Sequence, residues 1–534
     1  MRSSLVLFLF LAILSGCSEQ QSRPESEQAA PAYGGTYVIP LLHNPSSLDP
    51  ALAQDEYGVT IIQQLFNGLV KFGPHLLVVP DLAETWQVEE NGRAYLFSLR
   101  NDVLFHDNTP VTASDVAFSL KRLLRTKPAP VTLSHLLKIV GAEEYQKGVT
   151  DTVEGIEIVD AHTIRILLTE PHTPFLTALG MYQAKIVPEH VVSAMGPAFG
   201  SAPVGSGPFA FSSWQPNSRI VLEHSPGYFE GRPYLDRLHY EIYPGGDTDV
   251  VMEHFLAQKI HEMPGYGGLR TRLEEVPHKW LHRPSLSLLF YGLRTDRPPL
   301  DNPYLRKALS AALARHDLVR EVYDGTFDTA HTILPPGMPG YTPPEAPLGG
   351  SLEEARQFME LARQSGVSEI PPLEIVSASR SELAQAEIAF ISRAWEPLGI
   401  TVVPKFIPDW TEFKDYINSP EAMIFRYVWF ADMPDPDNFL SPLIASDGPA
   451  NFTDYEDRSL DAMLQQAQTL TDPVKRAEMY QKIEKRVLQD MPLIPLFYLS
   501  VDRIYQPEVQ NVHLNALGFQ TTRYYRVWLE QDMQ

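Results

Sequence analysis

Cysteine is nearly absent: the chain of 534 residues holds one, Cys17. A single thiol cannot make an intramolecular disulfide, so the fold must rest on packed cores, for which a hydrophobic fraction of 44% suffices. Positive charge is also scarce, with 43 Lys and Arg against 66 Asp and Glu and a formal net charge of −23. A surface that acidic repels nucleic acid and anionic lipid, which removes both as partners. Beyond the N-terminus no stretch approaches the roughly twenty apolar residues that cross a bilayer. Internal repeats, a Gly-x-Ser-x-Gly elbow and a phosphate loop are missing too; Gly205-Ser206-Gly207 runs into Pro208 and lacks the lysine such a loop needs. Neither an enzyme nor a bound cofactor is expected.

What is present begins at the start of the chain. Arg2, the apolar run Leu5 to Leu14 and the small pair Ser15-Gly16 have the order of a secretory signal peptide, residues 1–16. The run is about half the length of a membrane span. Leu14-Ser15-Gly16-Cys17 resembles the bacterial lipobox, which implies that Cys17 is acylated and becomes the new N-terminus. Residues 17–33 are rich in Ser, Glu, Gln and Pro, the composition of a solvated tether reaching on the order of 20 Å. The length suggests more than one domain.

Leu82 to Arg100 reads as two strands around Asn91-Gly92, and Ile156 to Leu168 as a second hairpin. Between them Thr112 and Asp115 form a capping-box start for a helix whose apolar face is Val116, Leu120, Leu123 and Leu124. Further on, Asn302-Pro303 opens one helix, Ser351 and Glu354 another that Gly366 stops, and Asp472-Pro473 the last long one. Leu373 to Val376, Ser381 to Pro397 and Ile400 to Phe406 read as strand, helix, strand, a right-handed parallel crossover. A short helix near Trp410 to Ile417 precedes a β run, Ala422 to Phe430. Leu493 to Val501 reads as a strand, and the final thirty residues are expected to rejoin a sheet built earlier.

The β run leads into Trp429-Phe430-Ala431-Asp432-Met433-Pro434-Asp435-Pro436-Asp437-Asn438, which gathers an indole, three carboxylates and two prolines. In open α/β sheets ligands sit beyond the carboxyl ends of strands, the position Asp432 holds. Asp435 and Asn438 read as turn formers. Asp435 and Asp437 are two apart, and nothing in the sequence sets them across a bond as paired acids.

Six motifs now stand in order: Ser47-Leu48-Asp49-Pro50; Leu65-Phe66-Asn67-Gly68-Leu69; Pro80 to Trp86 with Phe105-His106-Asp107; Thr112 to Val116; Gly205 to Phe209; and Asp301-Asn302-Pro303 through Leu309. With the Trp429 segment they resemble the family 5 extracellular solute-binding proteins, the peptide and nickel receptors of ABC importers. The resemblance implies a two-lobed α/β fold of the periplasmic-binding-protein type (type II, cluster C) with an extra small α+β domain. Its expected division is 34–75, 200–290 and 505–534 for lobe I, 76–199 for the small domain and 291–504 for lobe II, the chain crossing between lobes near residues 290 and 500.

The same resemblance implies that Asp432, three residues after Trp429, pairs with a peptide's α-ammonium, that Trp429 lines a side-chain pocket, and that Arg426 meets a ligand carboxylate. Carboxylate with ammonium and guanidinium with carboxylate are chemically apt pairs. In a regular strand, however, Arg426 and Trp429 point to opposite faces, so both reach one ligand only if the strand bulges or ends between them. The nickel-binding relatives lack the aspartate at the Asp432 position. His278 and His282 are spaced for one helical face but bracketed by Pro277 and Pro284, so no metal site is expected. The expected partners are a short peptide, an importer's permease subunits and, through the anchor, a membrane, for a monomer outside the cytoplasm. Other solutes of the fold (a nickel chelate, a sugar, an opine) and a sensor without an importer are the alternatives.

Overall fold

The computed structural model describes residues 30–265, 269–344 and 346–530. The signal peptide, Cys17 and nearly all of the tether lie outside these residues. Among the described residues no helix is long and apolar enough to cross a membrane.

The chain has two lobes and a small domain, each around its own sheet. In the first lobe the four-stranded sheet runs Thr36–Leu41, Arg237–Ile242, Arg219–His224, Phe209–Gln215, with only the first pair parallel. Helix Glu56–Leu65 lays Ile61, Ile62 and Leu65 on it. The small domain is a four-stranded antiparallel sheet, Ala83–Glu89, Ala94–Leu99, Thr163–Leu167, Ile156–Asp160. Its first turn uses Asn91 and Gly92 at φ 55° and 96°, as the Asn-Gly pair implied. The expected capping box is formed: Thr112 N and Oγ1 both donate to Asp115 Oδ2, at 3.0 and 2.8 Å, and helix Ala113–Arg125 buries Val116, Leu120, Leu123 and Leu124.

The second lobe holds a six-stranded sheet in the order Asp328–Thr329, Leu493–Tyr498, Ser287–Leu293, Ile424–Phe430, Leu373–Ser377, Val402–Phe406. Leu373–Ser377 pairs in parallel with both its neighbours, so the strand, helix, strand reading is met with helix Glu382–Trp395 as the crossover. The central strand Ser287–Leu293 is buried at every residue. Leu288 and Phe290 enter one hydrophobic cluster and Leu289, Tyr291 and Leu293 another, as alternation across a sheet covered on both faces requires.

Two strands carry the chain between sheets. Lys279–Pro284 and Ser500–Tyr505 pair in a three-stranded sheet with Glu262–Pro264; beyond Ser285-Leu286 and Leu499 the same two segments pair again inside the six-stranded sheet. What reads in sequence as one strand, Leu493 to Val501, is therefore two. Serines lash the crossings together. Ser285 N donates to Leu499 O at 2.7 Å, Leu499 N donates to Ser287 Oγ at 3.0 Å, and the two serine hydroxyls lie 2.7 Å apart. Each hydroxyl bonds a backbone group freed where the ladder changes sheets.

The C-terminal segment departs from expectation. Val509–Gln510 and Trp528–Leu529 form a two-stranded ladder of their own rather than extending an earlier sheet. Side chains attach it instead. Tyr524 and Val527 enter the first lobe's core, while Gln64 donates to Thr522 O at 2.8 Å and accepts from Tyr524 N at 3.0 Å.

Candidate functional site

Strand Ile424–Phe430 aims its residues at two environments. Its pairing with Ser287–Leu293 is unbroken from Ile424 to Phe430, with no bulge. Phe425, Tyr427 and Trp429 therefore share one face, and Ile424, Arg426 and Val428 the other.

Arg426 is spent on its own side. Its guanidinium meets Glu387 on the crossover helix, with Nε to Oε1 at 2.9 Å and Nη2 to Oε2 at 3.3 Å, and Glu387 is completely buried. Tyr291 donates to the same carboxylate at 2.6 Å and Tyr323 donates to its other oxygen. This geometry does not support the expected contact of Arg426 with a ligand carboxylate: the strand stays regular, and a matched buried pair occupies the guanidinium.

Past Phe430 the chain leaves the sheet. Ala431 N makes the last tie, to Leu286 O at 2.8 Å, and a proline-rich loop leads into helix Asp437–Ile444. Asn438 organises the loop. Its backbone oxygen accepts the Trp429 indole N–H at 2.8 Å, and its side-chain oxygen accepts the Asp432 N–H, also at 2.8 Å. Indole and carboxylate are thus fixed to one residue and brought to the wall of one cavity of about 970 Å³. Asn438, Ser441 and Gln468 continue that wall, and Ser134, His135 and Lys138 of the small domain face it. The two sides are pinned where Thr173 N donates to Gln468 O and Thr173 Oγ1 to Leu470 O, both at 2.8 Å.

The three carboxylates of the segment have different surroundings. Burial alone would raise Asp435, but Arg476 grips it at 2.7 and 2.8 Å and holds it below the ordinary carboxylate value. Asp435 is thus a buried ion-pair partner as well as a turn residue. Asp437 is raised, first by burial and then by the neighbouring charge of Asp435. Asp432 is raised by burial, partly offset by a hydrogen bond from Asn438, and among the described residues no cation pairs with it. Across the cavity His135 and His172 share a hydrogen bond of 2.9 Å, and burial lowers His135 to about 4 and His172 to about 3. With burial holding them neutral, the two imidazoles add no positive charge opposite Asp432.

His278 and His282 do not form a helical clip. Lys279–Pro284 is a strand, on which four positions span roughly 13 Å. His278 bonds Val276 O at 2.7 Å and His282 bonds Asp502 at 3.0 Å; among the described residues no group of three His, Cys, Asp or Glu could hold a metal.

Residues 78–451 match the model of the bacterial extracellular solute-binding proteins, family 5, middle region. The chain belongs to that family. Among its family 5 relatives, heme-binding protein A of Haemophilus influenzae is 27% identical, with 97% of this chain and 98% of the relative covered. The dipeptide-binding protein of Escherichia coli is 26% identical over 85% of this chain and 87% of its own. The fold superposes on the unliganded open form of the murein tripeptide-binding protein MppA with a TM-score of 0.83, at 24% identity over 92% and 97% of the two chains. On DppA of Helicobacter pylori in complex with the peptide STSA the TM-score is 0.71, at 25% identity over 94% and 99%.

Sequence reasoning singled out Asp432 and Trp429, which the structure sets on the wall of one cavity, and missed what holds them there. Asn438 was legible only as a turn residue, though its spacing of six from Asp432 and nine from Trp429 suits a loop folding back on a strand end. Ser134, His135 and Lys138 carry no local signal, because they reach the cavity through packing between distant segments.

Proposed function

We propose that this family 5 protein is the capture subunit of an ABC importer, that it takes short peptides, and that Cys17 holds it to a membrane by a lipid. The observation that carries the reading is the Asp432 carboxylate, desolvated at the wall of a large cavity beside the Trp429 indole and without a cation. An α-ammonium is the group every peptide can bring to it, and in such a site a charge-assisted hydrogen bond is strong. The indole offers a flat apolar wall to the neighbouring side chain. Peptide-binding relatives and the peptide complex of DppA support the substrate class. Arg426 is left out of this site. Closure of the two lobes follows if both touch the ligand, because only differential affinity shifts the population of closed molecules.

Native mass spectrometry of the purified protein should reveal a peptide carried through purification; a heme or sugar in its place overturns the peptide reading. In calorimetry with a tripeptide, Asp432→Ala should weaken binding by about 2–5 kcal/mol, and unchanged affinity removes Asp432 from the site. Cys17→Ser should move the protein from the membrane pellet to the soluble fraction. A variant that still pellets removes the anchor.

A further inference from the structure

The cavity extends past Asp432 to a second carboxylate that, among the described residues, no cation contacts directly. Asp437 opens helix Asp437–Ile444, is 6% exposed and lines the cavity. Its polar contacts are all to neutral donors: Ser441 Oγ at 2.5 Å, Gln468 Nε2 at 3.0 and 3.3 Å, and Tyr480 Oη at 3.2 Å. The adjacent cation, Arg476, makes its bidentate contact with Asp435 instead. On the opposite wall the Lys138 ammonium lies 2.5 Å from Glu170 Oε1, and His135 is neutral. Further out Asp461 accepts from Ser446 N and Oγ at 2.9 and 2.7 Å, so it too is met only by neutral donors. Arg476 acts on Asp437 only through space and does not offset its burial, so the carboxylate carries a desolvation penalty that a ligand cation would relieve.

Resting on the peptide reading of this cavity, we infer that it selects peptides whose first residue is basic, the α-ammonium on Asp432 and the side-chain cation on Asp437. Asp432 and Asp437 line the same cavity, and three neutral donors already hold Asp437 in place. The preference is for two positive charges at one end of the ligand rather than for basic peptides in general.

Calorimetry on the full chain with Lys-Ala-Ala, norleucine-Ala-Ala and Nε-acetyl-lysine-Ala-Ala separates the possibilities. These ligands share the α-ammonium and differ in the side-chain charge. Lys-Ala-Ala should bind about tenfold more tightly than either neutral analogue. In Asp437→Asn, which keeps the shape and an acceptor oxygen for Ser441 and Tyr480, that ratio should fall to within about twofold. Equal affinity of all three for the native protein overturns the inference while leaving peptide capture in place. Failure of all three to bind overturns both. A tenfold preference that survives in Asp437→Asn overturns the assignment to Asp437. The comparison of the three ligands on the native protein stands even if the variant fails to fold.

Discussion

The two faces of strand Ile424–Phe430 treat charge in opposite ways. On one, Arg426 is locked to Glu387 under two tyrosine hydroxyls, every polar group matched inside the protein. The other face ends at Trp429, and just past the strand Asp432 is desolvated and unmatched at a cavity. Arg426 and Trp429 stand three positions apart, and the alternation of a regular strand is enough to send one into a buried ion pair and the other to the wall of a cavity. A buried charge complete within the fold serves the fold, whereas one left incomplete at a cavity serves what enters.

The sharpest way to break this contrast is on the matched face. Arg426→Ala strands a fully buried Glu387, and urea denaturation should show a loss of about 3–5 kcal/mol. Folded molecules of the variant should keep tripeptide affinity; weakened binding at full stability would return Arg426 to the ligand site. Next in size is Asn438→Ala, which frees the Asp432 loop from its side-chain tie while leaving the Trp429 indole its backbone acceptor. Its backbone oxygen remains, so only the side-chain bond to Asp432 N is lost, and tripeptide affinity should drop by about 1–3 kcal/mol in calorimetry. No change would show that the loop holds its shape without the clamp.

The smallest effect is a proton. Burial raises the Asp432 carboxyl in the free protein. An aspartate raised on folding takes up protons as the chain folds, so its contribution favours the fold at pH below the ordinary aspartate value. That contribution is lost as pH climbs to the raised value. A bound ammonium favours the carboxylate, so peptide binding should release protons within that window. Calorimetry in two buffers of different ionisation enthalpy measures the release, and none at any pH in the window would contradict the pairing.

Local chemistry made much of the fold legible. Asn91-Gly92, the Thr112 and Asp115 box and the Asn302 cap each solve a problem within a few residues, and each appears where the sequence placed it. The parallel crossover followed because a helix between two strands has one favoured hand. Reading failed where the deciding partner is far along the chain. Leu499 breaks a continuous apolar strand because Ser285, more than two hundred residues earlier, changes sheets beside it. Thr522 and Tyr524 are held by Gln64, a partner no periodicity could announce. In the site, strand alternation already warned against placing Arg426 with Trp429, but its true partner, Glu387, lies on another element. Asp432 was legible through a family pattern, and the far wall of its cavity was not.

The serine-lashed crossings have a mechanical consequence. Two neighbouring straps joined side by side should resist sliding and twisting of one lobe against the other more than bending across them. Movement confined to one coordinate would discard little orientational freedom, so a lobe closure of the kind proposed would consume less of a ligand's binding energy. Weak, interchangeable contacts could then suffice for capture.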